Sequence, residues 1–275
     1  TLTVGEQSPW VRLTFRHGLT RVRAIARFLL VSAEPVFKLY VTPLNIDPEH
    51  PAMPVSWPSA FSVFLAKRHG PFATLGLAEY TWALTEGAIG DEDFLRQAHA
   101  IHDEREAMLL EALRLTRRGL CICVFDLTDR IQHTFTREND AGDAAASSAA
   151  IDAAYERCDA LVGRLLRKLG RRDLLFVLSD HGFTSFRRCV NVNAWLREQG
   201  YLAERVPGDR TEYLRNVDWR RTRAYSFGLA GIYLNLRGRE AQGIVAPGAE
   251  AQALKEEIAA RLLALRDPVG DRPVA

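Results

Sequence analysis

The chain has 275 residues, 47% of them hydrophobic, which is enough to bury a substantial core in one large domain or two small ones. Its formal net charge is +2, and no block of like charges exceeds three residues. Neither nucleic acid nor an anionic membrane is therefore indicated as an obligate partner. No apolar run approaches the roughly 18 residues of a membrane span, and no signal-peptide pattern is visible. Four cysteines are too few for a disulfide framework, which favours a reducing, cytoplasmic location.

Residues 1–115 are predicted to form an inserted or cap-like region. Alternating apolar residues indicate strands, and recurring prolines indicate irregular loops. A 3.6-residue apolar period indicates a helix, which begins at acidic residues and ends at a glycine. In chain order, the predicted elements are strands at Arg21 to Val31 and Phe37 to Val41, an irregular excursion from Pro43 to Pro71, and a long helix from Asp91 to Gly119.

Residues 116–275 predict an α/β core that carries the metal ligands. The runs 120–126 and 174–178 are apolar without alternation, which is typical of strands buried on both faces of a parallel sheet. A loop at 139–148 and a helix from Ile151 to Gly170 connect them as a right-handed βαβ unit. The predicted fold class is therefore α/β, with a largely parallel sheet flanked by helices. The remaining elements are a helix at 194–199, a strand at 232–236 and a helix at 249–265.

Acidic and imidazole side chains follow both apolar runs. Asp129 and His133 come soon after the first run, and Asp180 and His181 end the second. Open α/β sheets bind their ligands at the carboxyl ends of their strands, so the four side chains are expected at one edge of the sheet. Zinc accepts both carboxylate oxygen and imidazole nitrogen. The leading hypothesis is therefore a metal site.

Each motif also has a structural interpretation. Taken alone, Asp129 and His133, four residues apart, fit an N-cap aspartate and a surface histidine better than a pair of ligands. Asp180-His181-Gly182 fits a turn with a hydrogen-bonded histidine as well as it fits a ligand motif. Their occurrence after two paired strands favours metal binding. Asp126 suits either helix capping or support of a ligand, and Arg130 suits either an ion pair or contact with a substrate phosphate. Packing roles are expected for four further residues, His99, His102, Cys121 and Cys123.

Several segments resemble the alkaline phosphatase superfamily, and most closely its type I phosphodiesterase/nucleotide pyrophosphatase branch. The two metal-ligand motifs of that branch are similar to Thr128-Asp129-Arg130-Ile131-Gln132-His133 and Ser179-Asp180-His181-Gly182-Phe183. The resemblance covers most of the chain. It extends to Tyr40 to Asp47, Val190 to Leu196, Gly200 to Leu202, Trp219 to Tyr225, Gly231 to Leu236 and Gly238 to Glu240.

The resemblance implies two divalent metals, typically zinc with manganese as the alternative. Asp129 and His133 would belong to one ion and Asp180 and His181 to the other, with Asp126 and Arg130 in supporting or substrate-contacting positions. The implied reaction is hydrolysis of a phosphodiester or nucleotide pyrophosphate bond in a small phosphorylated substrate such as a nucleotide, through a covalent intermediate on Thr or Ser. Phosphomonoesterases, phosphonate hydrolases, sulfatases and phosphoglycerate mutases of the same superfamily are the alternatives, with the mutase ranked low.

Part of the family pattern is missing. No strand ending in Asp and Gly, followed by an exposed Thr or Ser, precedes residue 120, and no histidine follows His181. The nucleophile is therefore expected upstream of Thr1, and the chain is expected to be a fragment with a partial alkaline-phosphatase-like fold. The alternative is a non-catalytic structural or interaction module. Unpaired sheet edges would then favour a homodimer formed by strand addition.

Overall fold

The structure is a computed structural model that describes residues 1–76, 78–136, 141–184, 189–209, 213–228, 231–267, 269–270 and 272–273, the side chains of residues 17 and 141–148 excepted. The chain divides into two compact units, Thr1–Ser185 and Phe186–Ala275. The predicted division into an inserted region, residues 1–115, and an α/β core, residues 116–275, stays a prediction. Within the described residues, every helix is too short or too polar to cross a lipid bilayer.

The described strands of the first unit are β1 (Val11–His17), β2 (Thr20–Ala26), β3 (Phe28–Ser32), β4 (Lys38–Val41) and β5 (Asn45–Ile46). They form two small antiparallel sheets, with the orders β1-β2-β5 and β3-β4. The predicted strand from Arg21 to Val31 is in fact two strands, β2 and β3. They separate at Arg27, whose N–H donates to Thr42 Oγ1 at 2.9 Å and whose carbonyl accepts the Thr42 N–H at 3.0 Å. The strand predicted at 37–41 is confirmed by β4.

Within its described residues, the first unit also contains five helices. They are α1 (Ala60–His69), α2 (Thr81–Thr85), α3 (Asp91–Leu115), α4 (Leu127–Phe135) and α5 (Ala141–Leu166). Helix α3 confirms the predicted long helix. The excursion from Pro43 to Pro71 is not irregular throughout, because it contains α1. The loop predicted at 139–148 is wrong from Ala141 onwards, where alanines of high helix propensity extend α5; residues 139 and 140 lie outside the described residues.

The core of this unit lies among α2, α3, α4 and α5. Helix α4 buries Leu127, Ile131 and Phe135, which recur every four residues and therefore share one face. Phe94 of α3 is fully buried, and its ring lies 6.2 Å from that of Phe135. This packing fixes α4 by its apolar face and leaves its polar side chains on the opposite side.

The predicted parallel sheet is not formed by the described residues. Neither the run 120–126 nor the run 174–178 belongs to a strand, and no described strand pairs with either of them. Leu120 is 79% exposed and Leu178 is 87% exposed. The two runs are therefore not buried on both faces as expected. The expected βαβ unit is not formed by the described residues. The class that the described structure supports is mixed α/β with small antiparallel sheets.

The second unit contains α6 (Val192–Glu198), β6 (Ala224–Phe227), β7 (Gly231–Leu234) and α7 (Ala249–Leu263), with β6 and β7 antiparallel. These elements confirm the predicted helices and strand to within two residues at each end. Asn191 caps α6, its side chain accepting the Ala194 N–H at 3.0 Å. The buried Asn235 side-chain amide donates to three backbone carbonyls and so joins the loops around the core.

Candidate metal centre

Helix α4 positions the first two candidate ligands. Because its apolar face is buried, Asp129 and His133 lie together on the polar face, and His133 Nε2 is 3.3 Å from Asp129 Oδ1. Arg130 holds the other carboxylate oxygen, donating from Nη2 to Oδ2 at 2.7 Å. The two oxygens of Asp129 are thus divided, one toward an arginine and the other toward an imidazole.

The segment after residue 178 brings a second imidazole to the same oxygen. His181 Nε2 lies 3.8 Å from Asp129 Oδ1. Phe183 lies beside both histidines, with its ring centroid 4.8 Å from that of His133 and 5.6 Å from that of His181. Residues that are about 50 positions apart in the sequence therefore meet at one carboxylate, as the metal hypothesis requires.

Asp180 stands apart from this group. Its side chain is 90% exposed, and its Oδ2 lies 3.7 Å from Nε2 of the neighbouring His181. Three of the four predicted ligands are therefore brought together, and Asp180 lies at the margin of the group. The structure does not distribute the four residues into two separate pairs, so the assignment to two ions stays a prediction.

The candidate donors are of the kinds that zinc binds. One carboxylate and two imidazoles match its preferred ligands, and two ligands at about 2.1 Å from one tetrahedral ion stand about 3.4 Å apart. The separations of 3.3 and 3.8 Å from Asp129 Oδ1 are close to that value. Among the residues that the structure describes, however, no three or more His, Cys, Asp or Glu side chains form an assembled metal-binding group. The donor atoms are therefore of the right kind for zinc, but they do not form an assembled coordination group.

A second layer of charged residues supports α4. Asp126, directly before α4, accepts a hydrogen bond from Arg105 of α3 instead of capping the helix with its side chain. Glu79 is buried beside them, and its burial raises the pKa of its carboxyl, an effect that Arg105 and Arg130 oppose. Glu79 and Arg105 belong to no motif near the ligands, so sequence reasoning missed them.

A cavity of about 600 Å³ opens beside the ligands, within the usual size range of small-molecule sites. Its walls are mostly polar and come from α2, α4 and the start of α3. Helix α2 was not predicted, so its contribution to the site was missed as well. The lining residues are Thr81, Leu84, Thr85, Asp91, Arg130, His133 and Thr134.

The other histidines and cysteines have no place in this site. His102 is buried against Phe125, and burial lowers its pKa to about 4, while His99 contacts Arg157 at 3.5 Å. His102 is therefore a packed histidine and His99 a half-buried one, where exposed or packed positions were expected. Cys123 is exposed, so its predicted burial in a strand is wrong, and the four cysteines are free.

Comparison with known proteins identifies the family. The model of the type I phosphodiesterase/nucleotide pyrophosphatase family matches residues 48–272, most of the chain. The chain belongs to this family. It is thereby a member of the alkaline phosphatase superfamily. No curated protein and no solved structure matches it at a significant level.

The type I phosphodiesterase family has a defined reaction class. The family is a hydrolase family that acts on phosphodiester and pyrophosphate bonds of small phosphorylated substrates, and it is in general metal-dependent. The matched range includes both ligand motifs, the one on α4 and the one after residue 178.

Proposed function

We propose that this chain contributes to a metal-dependent phosphodiesterase or nucleotide pyrophosphatase site. The observation that carries the proposal is the approach of His133 and His181 to one oxygen of Asp129, beside a cavity large enough for a small phosphorylated substrate. Family membership supports the reaction class, and this approach supports the choice of residues.

In this proposal Asp129, His133, Asp180 and His181 hold two divalent cations, zinc or manganese. Bound there, paired cations would stabilise the attacking and leaving oxygens of the transferred phosphoryl group. Arg130 orients Asp129 by binding its second oxygen. The reaction would proceed through a covalent phospho-enzyme intermediate on Thr or Ser, and no residue of this chain is assigned to that role.

Zinc binding tests the ligand assignment without requiring turnover. We expect calorimetric titration of the chain to show zinc binding that Asp129→Ala, His133→Ala or His181→Ala weakens about tenfold or more. His50→Ala is the control, since His50 is a half-exposed histidine beside Asp47, 3.4 Å away, and is no part of the proposed site. Equal zinc affinity in the wild type and the three site variants would contradict the assignment.

Turnover tests the reaction. The chain would be assayed with bis-p-nitrophenyl phosphate and, in parallel, with p-nitrophenyl phosphate, with and without zinc or manganese. Metal-dependent cleavage of the diester, abolished by Asp129→Ala, would support a complete phosphodiesterase site. Preference for the monoester would favour a phosphomonoesterase of the same superfamily. Zinc binding without any turnover would indicate a partial site that requires a nucleophile from elsewhere.

A second part of the proposal concerns the apolar runs 120–126 and 174–178. Exposed apolar segments with unpaired backbone groups favour addition of further strands, so we propose that they pair across a homodimer. A monomeric mass in light scattering would contradict this. The cytoplasmic location expected from the few cysteines also stays a proposal.

A further inference from the structure

The β1–β2 hairpin projects into solvent at its turn. His17 pairs with Thr20, so the turn consists of Gly18 and Leu19 alone, and Gly18 adopts a φ of 57° that glycine tolerates. We call residues 14–22 the hairpin tip. Every side chain described in the hairpin tip is exposed.

One face of the hairpin is cationic. Arg16 lies directly opposite Arg21, and Arg23 follows two residues later on the same face. Like charges in directly opposed positions destabilise a strand pair. None of these three arginines forms an ion pair with a described residue, whereas Arg12, nearer the body, pairs with Asp47 and Glu49.

The hairpin tip is also apolar. Leu19 is fully exposed at the turn, and Phe15 and Val22, opposite each other on the second face, are 48% and 43% exposed. An exposed apolar tip with arginines directly behind it matches the surface of a bilayer, because the apolar side chains enter the headgroup region while the guanidinium groups reach phosphates.

We propose that the hairpin tip docks on the surface of a bilayer that contains anionic lipids. Leu19 enters the headgroup region, and Arg16 and Arg21 bind lipid phosphates. The near-neutral charge of the whole chain does not oppose this, since residues 11–26 contain four arginines and no acidic residue. A nucleic acid or an acidic protein would neutralise the arginines, but neither accounts for the exposed Leu19.

Vesicle co-sedimentation tests the proposal independently of catalysis. We expect the chain to bind vesicles of phosphatidylserine and phosphatidylcholine, and to leave pure phosphatidylcholine vesicles unbound. Each neutralised arginine should weaken binding about fivefold, so Arg16→Gln with Arg21→Gln should weaken it about 25-fold. Leu19→Ser should weaken it about tenfold at unchanged charge. The matched control is Arg220→Gln with Arg221→Gln, which removes two adjacent exposed arginines elsewhere.

Four outcomes would overturn the proposal. The first is no preference for anionic vesicles over neutral ones. The second is an equal loss of binding in the hairpin and control double variants, which would indicate general charge attraction. The third is full binding by Leu19→Ser, which would show that the apolar side chain takes no part. The fourth is stronger retention by a DNA duplex than by vesicles, which would favour an anionic polymer as the partner. Circular dichroism of each variant confirms that its fold is retained.

Discussion

His102 should make the first unit sensitive to acid. The side chain lies on α3 and is only 2% exposed, its ring centroid is 5.0 Å from that of Phe125, and neither ring nitrogen has a hydrogen-bond partner in the described structure. Burial lowers the pKa of His102 from 6.5 to about 4 because the charged imidazole would lose its hydration. Nearby positive groups act in the same direction; they are Arg157, His99, Arg164 and Arg105.

The sign of the effect follows from proton binding. Below pH 6.5 the unfolded chain protonates this histidine, while the folded chain does not until about pH 4, so acid favours unfolding. The two pKa values give a loss of about 2 kcal/mol in the free energy of unfolding between pH 7 and pH 5, and about 3 kcal/mol by pH 4.

Urea unfolding at pH 7 and pH 5 measures this loss. His102→Leu and His102→Gln both remove the titration but pack differently against Phe125, so their absolute stabilities should differ. Both should nevertheless lose about 2 kcal/mol less than the wild type between the two pH values. If both variants retain the wild-type pH dependence, His102 does not cause the acid sensitivity and the reasoning is refuted.

Two further predictions concern packing. Ile131→Ala removes a fully buried side chain of α4 and should lower the free energy of unfolding by about 3 kcal/mol in urea titrations, whereas a loss below about 1 kcal/mol would show that the site collapses around the gap. Gly243→Ala would place a methyl group against the backbone carbonyl of Leu236, so we expect a clear fall in melting temperature. Gly76→Ala, where that methyl group meets nothing within 4 Å, is its control and should leave the melting temperature nearly unchanged.

Helices α3, α6 and α7 were predictable from the sequence because their signals are local, whereas α1, α2 and the start of α5 were not predicted. Acidic residues mark the start of α3, and an apolar period of 3.6 residues marks α7. A helix makes its backbone hydrogen bonds within its own segment, so such local signals are enough to predict it. A strand depends on neighbours that its own sequence does not specify. The runs 120–126 and 174–178 have the composition of central strands, yet they stay unpaired and exposed, because no described strand lies beside them.

The same difference between local and long-range signals applies to the candidate metal centre. The contact between Asp129 and His133 follows from a four-residue spacing on one helix, so the sequence predicts it. The approach of His181 to Asp129 depends on how the chain returns after α5. It was expected from two neighbouring strand ends of a parallel sheet, which the described residues do not form. Glu79 and the cavity wall of α2 depend on tertiary packing alone, and no sequence pattern marks them.

The two sides of the candidate centre differ in how firmly they are held. Asp129 is 26% exposed, is bound by Arg130, and lies on a helix fixed by its buried face. His181 and Asp180 belong to no helix or strand, and their side chains are 53% and 90% exposed. Ordering exposed side chains opposes binding, so a cation should bind first through the α4 residues and recruit the other side at an entropic cost. A strand that paired with residues 174–178 would reduce that cost, which links completion of the sheet to metal affinity.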